Sequence, residues 1–137
     1  MSDSAAKPRP QFRNISIPQI LSYRLPLAGK LSILHRISGA LLFFCLPLVI
    51  IPLFGASVTS AETYAQVAQY AGNPLVKLVF LVLIWGYLHH FCAGIRYLAL
   101  DLHIGIDKQS SKKTAGVVFG VSLALTLVIA LKLFGVL

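Results

Sequence analysis

An all-α integral membrane protein with three transmembrane helices is the fold that the sequence predicts, and three observations predict it. The 137 residues are 57% hydrophobic and only 12% charged, with a mean hydropathy of +0.81. Soluble domains average about 25% charged residues, so this chain has too little charge to cover a water-facing surface, and lipid is the better solvent. Its apolar residues gather into three runs, each of about 20 residues or more, enough to cross about 30 Å of hydrocarbon at about 1.5 Å per helical residue. Its basic residues lie in the flanks of those runs, where they set orientation. The net charge of +8 therefore does not point to nucleic acid, which needs a basic face rather than basic flanks.

The elements follow in chain order. The length allows one transmembrane domain, residues 31–137, behind a polar, basic N-terminal tail and interfacial segment, residues 1–30. Pro8 and Pro10 argue against helix over residues 1 to about 14. The tail is too long and polar for the n-region of a signal peptide, so none is expected. Span one runs from about Leu31 to Phe54 and is free of formal charge from Ile37 onward, despite Pro47 and Pro52. Membrane helices tolerate proline because neighbours re-satisfy the freed carbonyl, so a kink is expected there rather than a break.

The loop after span one reads as a short helix resting at the interface. Ser60 can cap a turn carrying Glu62, after which Tyr64, Val67, Ala68 and Ala71 share a face, and Gly72-Asn73-Pro74 ends it. Span two covers about Leu75 to Leu102, with Lys77 placed to snorkel at its start, and span three about Ala115 to Val136, with Lys132 near its end. In span three Gly116, Gly120 and Ala124 recur every four residues, a surface on which two helix backbones can approach closely. Cys45 and Cys92 fall inside apolar runs without a CxxC spacing and read as small apolar side chains.

Charge in the loops predicts the topology. Lys7, Arg9, Arg13, Arg24 and Lys30 precede span one, against Asp3 alone; Glu62 is the only charge between spans one and two; Lys108, Lys112 and Lys113 oppose Asp107 before span three. The positive-inside rule puts the N-terminus and the second loop inside, and the first loop and the C-terminus outside.

Two polar clusters lie within the spans, where an ionisable group costs about 2.5–3.5 kcal/mol on insertion scales. Ser32, His35, Arg36 and Gly39, at offsets 0, 3, 4 and 7, fall on one face of span one. A hydroxyl, an imidazole and a guanidinium beside a glycine suit a ligand carrying carboxylates or carbonyl oxygens; they also suit plain interfacial anchors. His90, Gly94, Tyr97 and Asp101, at offsets 0, 4, 7 and 11, form a stripe along span two. His90 is about 9 Å deeper than Arg96. A neutral imidazole at that depth can ligate the iron of a flat macrocycle, or simply hydrogen-bond a neighbouring helix. His89 points about 100° away, on the face of Ala93 and Arg96, as a packing residue or one beside such a macrocycle's propionates. Both clusters occupy the same half of the bilayer. One convincing axial histidine implies a second ligand from a partner.

Two segments carry a family resemblance. Ser32-Ile33-Leu34-His35-Arg36-Ile37-Ser38-Gly39, followed across an outer loop by His90-Phe91-Cys92-Ala93-Gly94-Ile95-Arg96 and Asp101, resembles the cytochrome b subunits of succinate dehydrogenase, whose signatures read S-x-x-H-R-x-[ST]-G and H-x-x-x-G-I-R. The likeness extends from about residue 20 to the end. It implies a membrane anchor that packs with a second hydrophobic anchor subunit into a helix bundle, shares one haem b with it, and docks an iron–sulfur subunit and a flavoprotein subunit on the inner face. Electrons from succinate would pass through that assembly to ubiquinone; the chain would not be an enzyme on its own. By motif position the resemblance implies His90 as the iron ligand, His35 and Arg36 near the haem propionates, and Ser32, Ile33 and Arg36 at the quinone site. Many relatives have histidine at the position of Tyr97, and Ser16-Ile17-Pro18-Gln19 lacks a histidine that some carry. The anchor of a fumarate reductase, or a structural or transport subunit whose histidines only pack or move protons, are the rival readings. Without an Arg- and Ser-rich transit peptide, a bacterial inner membrane is expected ahead of a mitochondrial one.

Overall fold

The computed structural model describes residues 16–136, all of them helix or short connection. The tail expected over residues 1 to about 14 lies outside the described residues. A first short helix, α1 (Ile17–Ser22), starts where the Ser16 N–H donates to Gln19 Oε1 at 2.8 Å.

Span one begins four residues earlier than its apolar run. Pro26 is extended at φ −62° and ψ 159° and leads directly into α2 (Leu27–Cys45); proline fits at a helix entrance because no intrahelical partner awaits its missing N–H. The helix continues through a π turn, Leu46–Ile50, into α3 (Ile51–Thr59), making one 33-residue helix. The distortion expected at the prolines takes the form of this wide turn. Pro47 and Pro52 cannot donate, and the Ile51 N–H reaches back five residues to the Leu46 carbonyl instead.

Ser60, fully extended at φ −156°, reverses the chain and caps α4 (Ala61–Gly72). Thr63 N–H donates to Ser60 Oγ and Ser60 N–H to Thr63 Oγ1, both at 3.1 Å, a reciprocal cap that satisfies two otherwise unpaired donors. Val67 and Ala71 border an apolar groove shared with α2, α3 and α5, but of the expected apolar face only Val67 is partly buried, and Tyr64, Ala68 and Ala71 are exposed. Asn73 then serves two helices. Its N–H closes α4 on the Tyr70 carbonyl, and its Oδ1 accepts from Leu75 N–H at 2.9 Å to open α5 (Pro74–Asp101).

α5 ends in a Schellman motif: His103 N–H returns to the Leu100 carbonyl and Ile104 N–H to that of Ala99. His103 therefore adopts φ +60°, a left-handed conformation that non-glycine residues rarely take. The next helix, α6 (Lys108–Leu133), starts seven residues before the expected span because Asp107 accepts from the N–H groups of Gln109 and Ser110. The Ser110 hydroxyl first, then those backbone donors, hold the Asp107 carboxyl below the usual carboxylate range.

Within the bundle α5 packs against both α2 and α6, which also touch each other. The buried core is narrow: Leu31, Ala93, Ala115 and Val118, joined by the polar side chains Ser38, His89, Arg96 and Ser122. Small residues suit these seams because lipid is as apolar as any side chain, so close backbone approach decides packing. On α6 the packed stripe is Ala115, Val118 and Ser122. Of the expected small-residue surface only Gly116 meets a neighbour, Leu27, while nothing lies near Gly120 and Ala124 is exposed. At the far end Lys77 Nζ donates to the Leu133 carbonyl at 3.0 Å and lies 5.8 Å from the Phe134 ring centre. Its charge closes the C-terminus of α6.

Candidate functional site

The two polar clusters meet where α2 crosses α5. His35 and His90 stack with ring centres 4.1 Å apart and planes 7° from parallel. Glycines on the opposite helix make this possible. A Cβ at Gly39 would fall 2.8 Å from His90 Cε1, so His90 fits only because that position is bare; a Cβ at Gly94 would lie 3.9 Å from His35 Nε2. Each imidazole thus rests over the other helix's glycine. The sequence places clearance for His90 on its own helix, at Gly94; the structure gives it to Gly39 of α2.

The hydrogen bonds fix the state of His90. Its Nδ1 lies 3.0 Å from the His35 carbonyl and 3.3 Å from Ser38 Oγ, while the Ser38 hydroxyl donates to the same carbonyl at 3.0 Å. A carbonyl can only accept, and the serine proton is already used, so Nδ1 carries the proton and donates to both oxygens. Nε2 then holds the lone pair and makes no hydrogen bond among the described residues. This is the arrangement of a metal-binding histidine, with one nitrogen held by protein and the other open. Beside His90 runs an apolar groove of about 570 Å³ between α2 and α5, lined by Leu42, Leu46, Ile50, Phe80, Leu83 and Tyr87 among others. Among the described residues no three His, Cys, Asp or Glu side chains converge.

The four α2 residues expected on one face divide. His35 turns toward α5, where Tyr97 lies 5.0 Å away between ring centres, and Gly39 sits under His90. Ser32 and Arg36 form a pair of their own, with Arg36 Nη2 donating to Ser32 Oγ at 3.1 Å. Arg36 and the adjacent Ile33 are exposed on the outside of the bundle. A guanidinium and a hydroxyl one turn apart, on a surface that leaves their remaining donors free, can together bind a carbonyl oxygen. On α5, Asp101 lies exposed at the helix end and joins neither group.

His89 packs inside the bundle. It is fully buried, with Trp85 and Phe119 rings 5.3 and 5.2 Å away. Neither ring nitrogen makes a hydrogen bond, although the Leu31 carbonyl approaches it.

Arg96 is the residue that sequence reasoning undervalued. Only 7% exposed, it donates from Nε to Thr114 Oγ1 at 3.0 Å and from Nη2 to Ser111 Oγ and the Ser111 carbonyl at 2.9 and 3.3 Å. It ties α5 to the first turns of α6. The available signal was its seven-residue offset from His89 on the inward stripe Gly86, His89, Ala93, Arg96. Arg96→Met is expected to destabilise the bundle by about 2 kcal/mol, since hydrogen bonds to a charged group contribute about 1.5–3 kcal/mol. Thermal unfolding in mild detergent measures this; an unchanged midpoint would show the three bonds to be dispensable.

Known proteins can be set beside this geometry. The family model for the succinate dehydrogenase/fumarate reductase transmembrane subunit matches residues 7–129. The succinate dehydrogenase cytochrome b556 subunit of Coxiella burnetii is 34% identical over 103 residues, which cover 75% of this chain and 82% of that protein. The subunits of the same description from Rickettsia felis and Paracoccus denitrificans are 27% and 28% identical, over 82% and 85% of this chain and 86% and 89% of theirs.

Proposed function

The chain belongs to the succinate dehydrogenase/fumarate reductase transmembrane-subunit family, and we propose that within it this chain binds haem b and ubiquinone and passes electrons from an iron–sulfur subunit to the quinone. The observation that carries the reading is the state of His90: Nδ1–H held by the His35 carbonyl, Nε2 left open beside an apolar groove. The residues present fit a haem. The groove suits an apolar macrocycle, and Gly39 leaves the space that the ligand ring occupies. His90 would hold the iron, and His35 and Arg36 would pair with the propionates. Bound there, haem supplies a one-electron carrier whose potential is set by its axial ligands and their hydrogen bonds. A second hydrophobic subunit would supply a further ligand to the iron.

Quinone reduction is assigned to the exposed pair Ser32 and Arg36, with Ile33 beside them. As electrons arrive, negative charge grows on a quinone oxygen. A fixed guanidinium and hydroxyl in surroundings of low dielectric stabilise that charge more than they stabilise the neutral carbonyl. The N-terminus and the loop between α5 and α6 face inward, where the iron–sulfur and flavoprotein subunits dock, in a bacterial inner membrane. The relatives' descriptions favour succinate oxidation over fumarate reduction. The test is a reduced-minus-oxidised absorption spectrum of the complex that copurifies with this chain in mild detergent. A b-type signal reducible by succinate is expected. A colourless preparation with all partners present would remove His90 as a ligand and leave an anchor alone.

A further inference from the structure

We propose that Ser38 and Gly39 are positioning residues for His90: together with the His35 backbone they form a socket on α2 that fixes the ring plane and tautomer of a ligand carried by α5. The inference rests on His90 being the haem ligand and adds what holds it. Ser38 is 6% exposed, and its hydroxyl bridges the His35 carbonyl at 3.0 Å and His90 Nδ1 at 3.3 Å. That hydroxyl polarises the carbonyl that holds the Nδ1 proton and accepts the same proton in part. Gly39 also bounds the ring, since a Cβ there would reach within 2.8 Å of Cε1 and 3.3 Å of Nδ1. The contacts at Gly39 involve a ring already stacked on His35 at 4.1 Å, so the imidazole cannot move aside cheaply. Three consecutive constraints on one ring (donor bond, floor and stacking lid) come from a single turn of α2.

An imidazole whose N–H is held by an acceptor is a more basic ligand in a fixed orientation, and losing such support costs about 10- to 100-fold in metal affinity. Gly39→Ala is expected to lower haem affinity by that factor, and Ser38→Ala to shift the haem's midpoint potential and its low-temperature electron paramagnetic resonance g values, with Ser38→Thr restoring both. The assembled complex is the sample. Haem-to-flavin ratio, g values and thermal midpoint are read side by side, because a merely structural role moves only the last. Should Gly39→Ala fail to assemble, Ser38→Ala decides, since it removes one oxygen and adds no bulk. Unchanged potential and g values in Ser38→Ala, with haem present, overturn the socket while leaving His90 as the ligand. Absence of haem from the parent complex instead overturns the ligand reading itself.

Discussion

His90→Ala is expected to strip the complex of its haem, lowering the haem-to-flavin ratio by at least about tenfold, as loss of an axial donor exceeds the about 10- to 100-fold cost of losing a supporting contact. The prediction turns on the absence of a substitute. His89, the neighbouring imidazole, is fully buried between Trp85 and Phe119 and faces a different helix. His35 is not among the residues that line the groove beside His90, and Cys92 faces a different groove, between α5 and α6, with Val117 and Val121. Pyridine haemochrome absorbance per flavin measures the outcome. Full haem content in His90→Ala would mean that the iron is held by groups outside this chain, and the socket on α2 would then have no ligand to position. Partial retention with an altered spectrum would point to a replacement ligand filling the space over Gly39.

Arg36→Leu is expected to reduce quinone reductase activity by about 10²- to 10³-fold, the usual cost of removing one donor aimed at developing negative charge. Succinate oxidation by an artificial dye, which draws electrons before the membrane, should persist. Leucine keeps the stem's apolar contact and removes only the guanidinium, and Arg36 makes one hydrogen bond in the structure, to Ser32 Oγ, so the bundle loses little. Parallel assays of the two activities on the same purified complex decide it. If both survive alike, the exposed Ser32–Arg36 pair is an interfacial anchor and the quinone binds elsewhere; if both fall alike, the substitution has broken assembly rather than chemistry.

Three spans, the helical loop between the first two with its Ser60 cap, and the proline distortion were legible because each rests on local rules that tertiary context does not reverse. The helix starts were less so. Leu27 opens its helix behind Pro26, whose ring already sets the entering backbone angle, and Lys108 behind Asp107, whose carboxyl caps the first donors; both starts lie outside the apolar runs because neither depends on where lipid begins. On α6 the four-residue repeat of Gly116, Gly120 and Ala124 was visible, but periodicity names a face without naming its neighbour, and the bundle uses Ala115, Val118 and Ser122. At the site the residue types were readable: the imidazoles of His35 and His90, the Arg36 guanidinium and the Ser32 hydroxyl. The crossing of α2 over α5 was not, and it is that crossing which seats His90 over Gly39 and separates His35 from Arg36.

The wide turn at Leu46–Ile50 bears on how this chain can change length over evolution. A five-residue hydrogen-bonded step holds one residue more than an α-helical one, so the turn stores an insertion locally. Deleting a residue there returns the helix to regular pitch and leaves the faces on either side nearly in phase. Deleting one between Leu34 and Ile37 has no such reservoir: it turns everything beyond by about 100° and carries Ser38 and Gly39 away from α5. Gaps among descendants of this chain should therefore collect at residues 46–50 and in the loops, and be absent from the N-terminal half of α2.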